Sequence, residues 1–318
     1  MSTVLITDHL FPSISLQKKV LEDAGFKLEE VKPICKTEDE VIERCAKADA
    51  LLVQWAPISR RVLEALPKVQ GVVRYGIGVD NIDVKAAKDV GRIVSNVPNY
   101  CQEEVSDHTL AMMISLARRI PHDHMQIAHG GWGVGPFLPI PAFSDLTLGL
   151  IAFGSIAKKV SQKARPFRFQ QIAYDPVAKE ESFVGQGVER VELDDLLRRS
   201  DIITLHCPLM PSTHHMINAA SIAKMKAGVL LINTARGPLV NEVDLIAALQ
   251  AGKILGAGLD VFEKEPLPKE SLLRTFPNVL LTSHAASVST RAVELLQIKA
   301  AEAARDILLG KRPEGALV

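Results

Sequence analysis

Leu148 to Val160 reads LGLIAFGSIAKKV, which looks like a strand running through a turn into a helix. In the G-x-G-x-x-G form of such a turn, the first Gly permits the tight bend and the second lets the backbone approach a phosphate. The third allows the helix to pack closely on the strand. Here those places hold Ala152, Gly154 and Ala157. The central Gly is the one a ligand needs most directly. Ala at the third place adds only a methyl, whereas Ala at the first is tolerable only if its φ stays negative. Alone the motif is weak, and a plain βα turn explains it almost as well.

The surroundings strengthen it. Downstream, RFQQIAYD, DIITLHC, GVLLINTA, ILGAGLDV and VLLTSHA read as buried strands, so that with LTLGLIAF six parallel strands complete a doubly wound sheet. Helices are expected at 156–165, 193–199, 219–225 and 242–251. Asp175 ends the strand after the turn, 21 residues beyond Gly154. A carboxylate at that spacing would accept hydrogen bonds from an adenosine ribose and repel a 2′-phosphate, which favours NAD over NADP. Upstream, TVLIT, ALLVQW, GVVRY and IVSNV alternate with helices near 13–24, 60–66 and 83–90. A longer helix is expected at 103–120, ended by Pro121. GGWGVGPFLPIP at 130–141 reads as an extended loop, and 290–309 as a last helix packing back on the first unit. The chain therefore leaves one domain, builds a second and returns.

Composition excludes several classes. Lys plus Arg and Asp plus Glu both total 37 in 318 residues, and no long basic run appears, so nucleic acid is not an expected partner. No apolar run approaches the roughly 20 residues needed to span a bilayer, and the N-terminus lacks a signal pattern, so a soluble cytoplasmic protein is expected. Cys35, Cys45, Cys101 and Cys207 are scattered without a CxxC pair and read as reduced structural thiols. His122, Asp123, His124, His129, His214 and His215 show no ligand spacing, and no metal is expected.

Three segments stand at the ends of strands in the second sheet: NTARGPLVNE, GLDVFEKEP and LTSHAA. The carboxyl ends of parallel strands face the ligand crevice, so Arg236, Glu265 and His284 are candidates to converge on one substrate. An Arg can grip a carboxylate and polarise a neighbouring oxygen through its fork of donors. A His can pass a proton to a carbonyl oxygen as hydride arrives, and a Glu on its other ring nitrogen would orient the ring and stabilise imidazolium. Any one of these residues alone would be an ordinary surface ion pair, loop acid or structural histidine.

Together with RYGIGVDNID at 74–83, NVPNYCQEEVSDHTLA at 96–111 and HCPLMPSTHHMIN at 206–218, these segments run in the order of a known family. The chain resembles the D-isomer-specific 2-hydroxyacid dehydrogenases, in the branch of the C-terminal-binding proteins and phosphoglycerate dehydrogenase-like enzymes. The resemblance implies two doubly wound parallel-sheet α/β domains. A Rossmann NAD-binding domain (101–286) is inserted into a flavodoxin-like substrate domain (1–100 and 287–318). It implies hydride transfer between NAD(H) and a small 2-keto or 2-hydroxy acid, with Arg236, Glu265 and His284 catalytic. It also implies a homodimer joined largely through the nucleotide domain. Arg74 with the backbone of Ile77, Gly78 and Val79 matches a substrate-carboxylate loop. Thr109, at the start of the long helix, matches a cofactor-phosphate contact, with helix capping as the plain alternative. Gly154, Ser155 and Ile156 fall at the pyrophosphate turn and Asp175 at the ribose. His206, Pro208, Thr213 and Ala235 match cofactor-lining positions, and Asp260 one near the nicotinamide amide.

Some positions depart from the family pattern. Ser155 stands where many relatives carry Arg, Ser283 where Pro usually precedes the catalytic His, and Ser287 where C-terminal-binding proteins carry a Trp. Weaker NAD binding than with the full glycine set is expected, because Ala152 restricts the turn and Ser155 brings no charge. Two other readings remain. One is an NAD-responsive regulatory dimer with little turnover; the other is a formate dehydrogenase, against which Glu265 argues because those relatives have Gln there. With no extension past Val318, feedback through an added C-terminal domain is not expected.

Overall fold

The computed structural model describes residues 1–134 and 139–318. Within the loop expected at 130–141, residues 135–138 lie outside the described residues. The chain forms two compact units, Met1–Tyr100 with Val288–Val318, and Cys101–Ser287.

The first unit carries β1 (Thr3–Ile6), β2 (Lys27–Glu30), β3 (Ala50–Val53), β4 (Gly71–Arg74) and β5 (Ile93–Ser95). All pair in parallel in the order β2-β1-β3-β4-β5. The apolar strands are buried along their length, as ALLV in β3 shows, because helices cover both faces of such a sheet. β2 has the sequence KLEE and was not expected. It is an edge strand whose charges face solvent, so it lacks the apolar run that marks a buried strand. The helix Glu38–Arg44 also escaped the pattern. It is set by a capping box at Thr37 and Glu40 rather than by a strong apolar stripe, Val41 being its buried residue. The last helix, Thr290–Leu308, opens on a Ser289 cap and buries Ala292, Leu296, Ala300, Ala301, Ala304 and Ile307. Its alanines let it lie close to the sheet, and Ile307 approaches Gly71 so nearly that a Cβ there would collide with it.

The second unit carries β6 (Thr147–Ile151), β7 (Gln170–Tyr174), β8 (Glu189–Arg190), β9 (Ile202–Leu205), β10 (Val229–Asn233), β11 (Ile254–Leu259) and β12 (Val279–Leu281). They form one sheet ordered β12-β11-β10-β9-β6-β7-β8, all parallel. Seven strands replace the six expected, the addition being β8, two exposed charged residues at the edge. Strand order reverses between β6 and β9, so the crevice beyond their carboxyl ends is the place for a ligand. The long helix runs Gln102–Ala117 and stops before 120. Arg119 turns left-handed at φ 56°, and Pro121 sits in the first turn of a new helix, Ile120–Ala128. Pro121 therefore begins a helix as well as barring the previous one, since its missing N–H is unneeded there.

Candidate active site

The turn after β6 is the first part of the site. Ala152 has φ +68°, so the expectation of a negative φ is corrected. Its N–H donates to Tyr174 O at 2.8 Å, and that bond to β7 holds the residue where Gly would be unstrained. Gly154 caps the helix Ser155–Ala164, and a Cβ built on it would meet nothing within 4 Å. Open space beside exposed backbone at a helix N-terminus fits an incoming pyrophosphate. Ile156 is half-buried behind Ser155, and Ala157 is fully buried against the sheet, where a small side chain is needed.

Asp175 is buried and fixed by the backbone. Its Oδ2 accepts from Phe153 N at 2.8 Å, and its Oδ1 from Val177 N and Ala178 N, each at 2.9 Å. Burial acts to raise its pKa, but the three amides and the Arg190 charge outweigh that and hold the carboxyl below its ordinary value. The group thus stays ionised and ties the β6 turn to the β7 turn. Oδ2 keeps lone-pair capacity beyond its one amide, as a ribose hydroxyl would require.

The catalytic candidates come from three neighbouring strands. Arg236 follows β10, and its loop is clamped by Asn233, whose Nδ2 donates to Arg236 O at 2.8 Å and whose Oδ1 accepts from Ala235 N at 3.0 Å. The Arg236 Nη1 donates to Ala235 O at 2.6 Å. Gly237 allows this loop to touch the one after β11, for a Cβ on it would lie 1.9 Å from the Phe262 carbonyl. Glu265 sits on that second loop, its Oε1 accepting from Phe262 N at 3.0 Å. Its Oε2 lies 2.7 Å from Nδ1 of His284, on the loop after β12. Burial acts to raise the Glu265 pKa, yet the His284 contact, the Phe262 amide and the Arg236 charge together leave it lowered. A carboxylate bonded to Nδ1 turns Nε2 of His284 outward as the proton-carrying atom. His284 itself has φ +54°, and its N–H donates to Asp260 O at 2.8 Å.

Asp260 is buried and takes up the same loop with its carboxylate. Oδ1 accepts from Ala285 N at 2.8 Å and from the Thr282 hydroxyl at 2.5 Å, while Oδ2 accepts from Ala286 N at 2.9 Å. Its contacts are those of a loop anchor. Thr109 is placed otherwise than expected: it lies in the middle of the helix Gln102–Ala117, not at its start, so it caps nothing. Its buried hydroxyl donates to Val105 O at 2.7 Å and meets the Thr234 hydroxyl at 2.8 Å, next to the Arg236 loop. His206 follows β9 with Nε2 at 3.1 Å from the Thr204 hydroxyl, and burial pushes its pKa down to about 3, so it is neutral. Thr213 folds the next loop, donating to Pro208 O at 2.7 Å and accepting from Met210 N at 2.8 Å. Ser283 is exposed before His284, where no rigid φ is imposed.

Arg74, the last residue of β4, and residues 77–79 just beyond it belong to the first unit. The Arg74 guanidinium folds over Gly76, whose φ of +138° and lack of a Cβ make the room. Asn96 Nδ2 donates to Ile77 O at 2.6 Å and steadies the loop. The sequence reading missed Asn233, Gly237 and Thr282. Their signal is a polar or glycine residue within three positions of a candidate, at or just past a strand end.

With this geometry in place, the family comparison is decisive. The D-isomer specific 2-hydroxyacid dehydrogenase, NAD binding domain, matches residues 110–286. The chain belongs to this family. It is 37% identical, over 99% of its length, to a D-3-phosphoglycerate dehydrogenase of Methanocaldococcus jannaschii, of which it covers 59%. It is 36% identical, over 87% of its length, to a glyoxylate reductase of Korarchaeum cryptofilum, of which it covers 87%. The crystal structure of D-lactate dehydrogenase from Aquifex aeolicus complexed with NAD and lactic acid matches with a TM-score of 0.84. That match has 28% identity over 97% of this chain and 96% of that one. The chain spans 49 to 59% of several phosphoglycerate dehydrogenases it matches.

Proposed function

We propose that this protein is an NAD-dependent D-2-hydroxyacid dehydrogenase that reduces a small 2-keto acid. The observation that carries the reading is the 2.7 Å pair of His284 Nδ1 and Glu265 Oε2 beside the Arg236 loop, at the carboxyl ends of three adjacent strands. In this proposal the second unit is the NAD-binding domain and the first the substrate domain. Gly154, Ser155 and Ile156 hold the pyrophosphate and Asp175 the adenosine ribose. His206, Pro208, Thr213 and Ala235 line the cofactor site, with Thr109 and Asp260 behind it. NADH, when bound, supplies the hydride. Arg236 grips the substrate carboxylate and polarises the keto oxygen. In the first unit, Arg74 with the amides of Ile77, Gly78 and Val79 forms a carboxylate-binding loop. His284 gives its Nε2 proton to that oxygen as the alcohol forms, and Glu265 stabilises the imidazolium beforehand.

A homodimer formed through the second unit belongs to the same reading. The helix Ile120–Ala128 buries none of its residues, and Ile120, Met125, Ile127, Trp132 and Val134 are exposed around it. Apolar surface of that extent on a short helix suits a second copy of the chain. A cytoplasmic location is supported by four free, buried cysteines, and no described helix is long and apolar enough to cross a membrane. The test is loss of NADH absorbance with a panel of 2-keto acids, repeated with NADPH. Turnover with NADH in preference to NADPH is expected. No turnover with any acid would overturn the dehydrogenase reading, and a clear NADPH preference would overturn the role given to Asp175.

A further inference from the structure

We infer that His108 is a positioning residue for the catalytic histidine, acting through Thr282 and Asp260. The Thr282 hydroxyl donates its one proton to Asp260 Oδ1 at 2.5 Å. Its oxygen can therefore only accept from His108 Nε2, which lies 3.0 Å away. His108 must carry a proton on Nε2 to satisfy this chain. That nitrogen also lies 3.8 Å from Asp260 Oδ1, and the buried Asp260 carboxylate accepts from three neutral donors, the Thr282 hydroxyl and the amides of Ala285 and Ala286. A buried carboxylate is costly unless hydrogen bonds or charge compensate it, and His108 completes that compensation.

The consequence reaches His284. Asp260 grips both sides of it, through its own carbonyl to His284 N at 2.8 Å and through its carboxylate to the two following amides. Those bonds hold His284 at φ +54°, a left-handed conformation that is unfavourable for a residue with a Cβ. The adjacent residue on the same helix, Thr109, meets Thr234 beside the Arg236 loop. One turn of the helix Gln102–Ala117 thus touches two catalytic loops by different side chains.

The test compares His108→Leu, His108→Gln and Thr282→Val in the full chain. Gln can place a donor near Nε2, whereas Leu and Val break the chain of bonds. In hydrogen–deuterium exchange, the amides of Ala285 and Ala286 are expected to exchange about tenfold faster in His108→Leu and Thr282→Val. Near wild-type protection is expected in His108→Gln. The kcat for keto-acid reduction should fall about tenfold in the two broken variants with the KM for NADH unchanged, and return to within about twofold in His108→Gln. Unchanged exchange in both broken variants, or equal impairment of the Leu and Gln variants, overturns the inference. The kcat arm rests on the dehydrogenase reading and the exchange arm does not, so wild-type inactivity would defeat that reading alone.

Discussion

Ala152 and His284 both stand in the left-handed region on loops at the carboxyl end of the same sheet, and they are held there for different reasons. Ala152, at φ +68°, closes the turn after β6 with a methyl that forms no polar contact. His284, at φ +54°, closes the loop after β12 with an imidazole bonded to Glu265 and a backbone held by Asp260. At the first place the conformation is needed and the side chain is not, so glycine would serve better. At the second the side chain is needed, and a network of buried polar groups maintains the conformation around it. Strain that serves chemistry is compensated by neighbours, whereas strain left by a substitution in a turn is merely tolerated.

The largest expected effect separates the two places. His284→Ala removes the proton donor and should lower kcat by about 10²–10⁴-fold, measured as NADH consumption under saturating keto acid. Unimpaired turnover would make the two strained residues alike. Glu265→Gln keeps an acceptor for the ring but loses the charge, and should lower kcat by about 10–100-fold. Arg236→Lys keeps a charge but loses the fork, so its main expected effect is a rise in the KM for the keto acid of about tenfold or more.

Ala152→Gly carries the comparison at the other end. Relief of the left-handed Ala, offset by the greater freedom of Gly in the unfolded chain, should stabilise the protein by about 0.5–1 kcal/mol in urea titration. NAD should also bind more tightly. A loss of stability or of NAD affinity would show that the methyl has a use not seen here. The smallest effect is on pH. Asp175 and Glu265 both lie below their ordinary pKa values when folded. Their contribution is fully present above the unfolded carboxyl values of about 4 and is lost as pH falls through the lower folded values. Asp175→Asn should flatten the acid decline in urea midpoint below about pH 4.

Much of this was legible in the chain because parallel strands covered on both faces are apolar throughout, as TLGLI and VLLIN are. Edge strands such as KLEE carry no such mark, so β2 and β8 were invisible. The catalytic candidates could be found because each lies on the loop that follows a strand. The sequence could not show the bonds behind them. Nothing in NTARG says that Asn233 clamps Arg236 from both sides, and nothing in a helix interior says that Thr109 faces Thr234. Nor could spacing show the sign of φ at Ala152, which depends on the bond its N–H makes to Tyr174.

The most direct measurement is a single-turnover experiment in which enzyme and NADH, premixed, meet excess 2-keto acid, comparing wild type with His284→Ala at equal bound NADH. The account predicts rapid loss of the nicotinamide absorbance in the wild type and a rate at least about a hundredfold lower in the variant. Equal rates in the two proteins would contradict it.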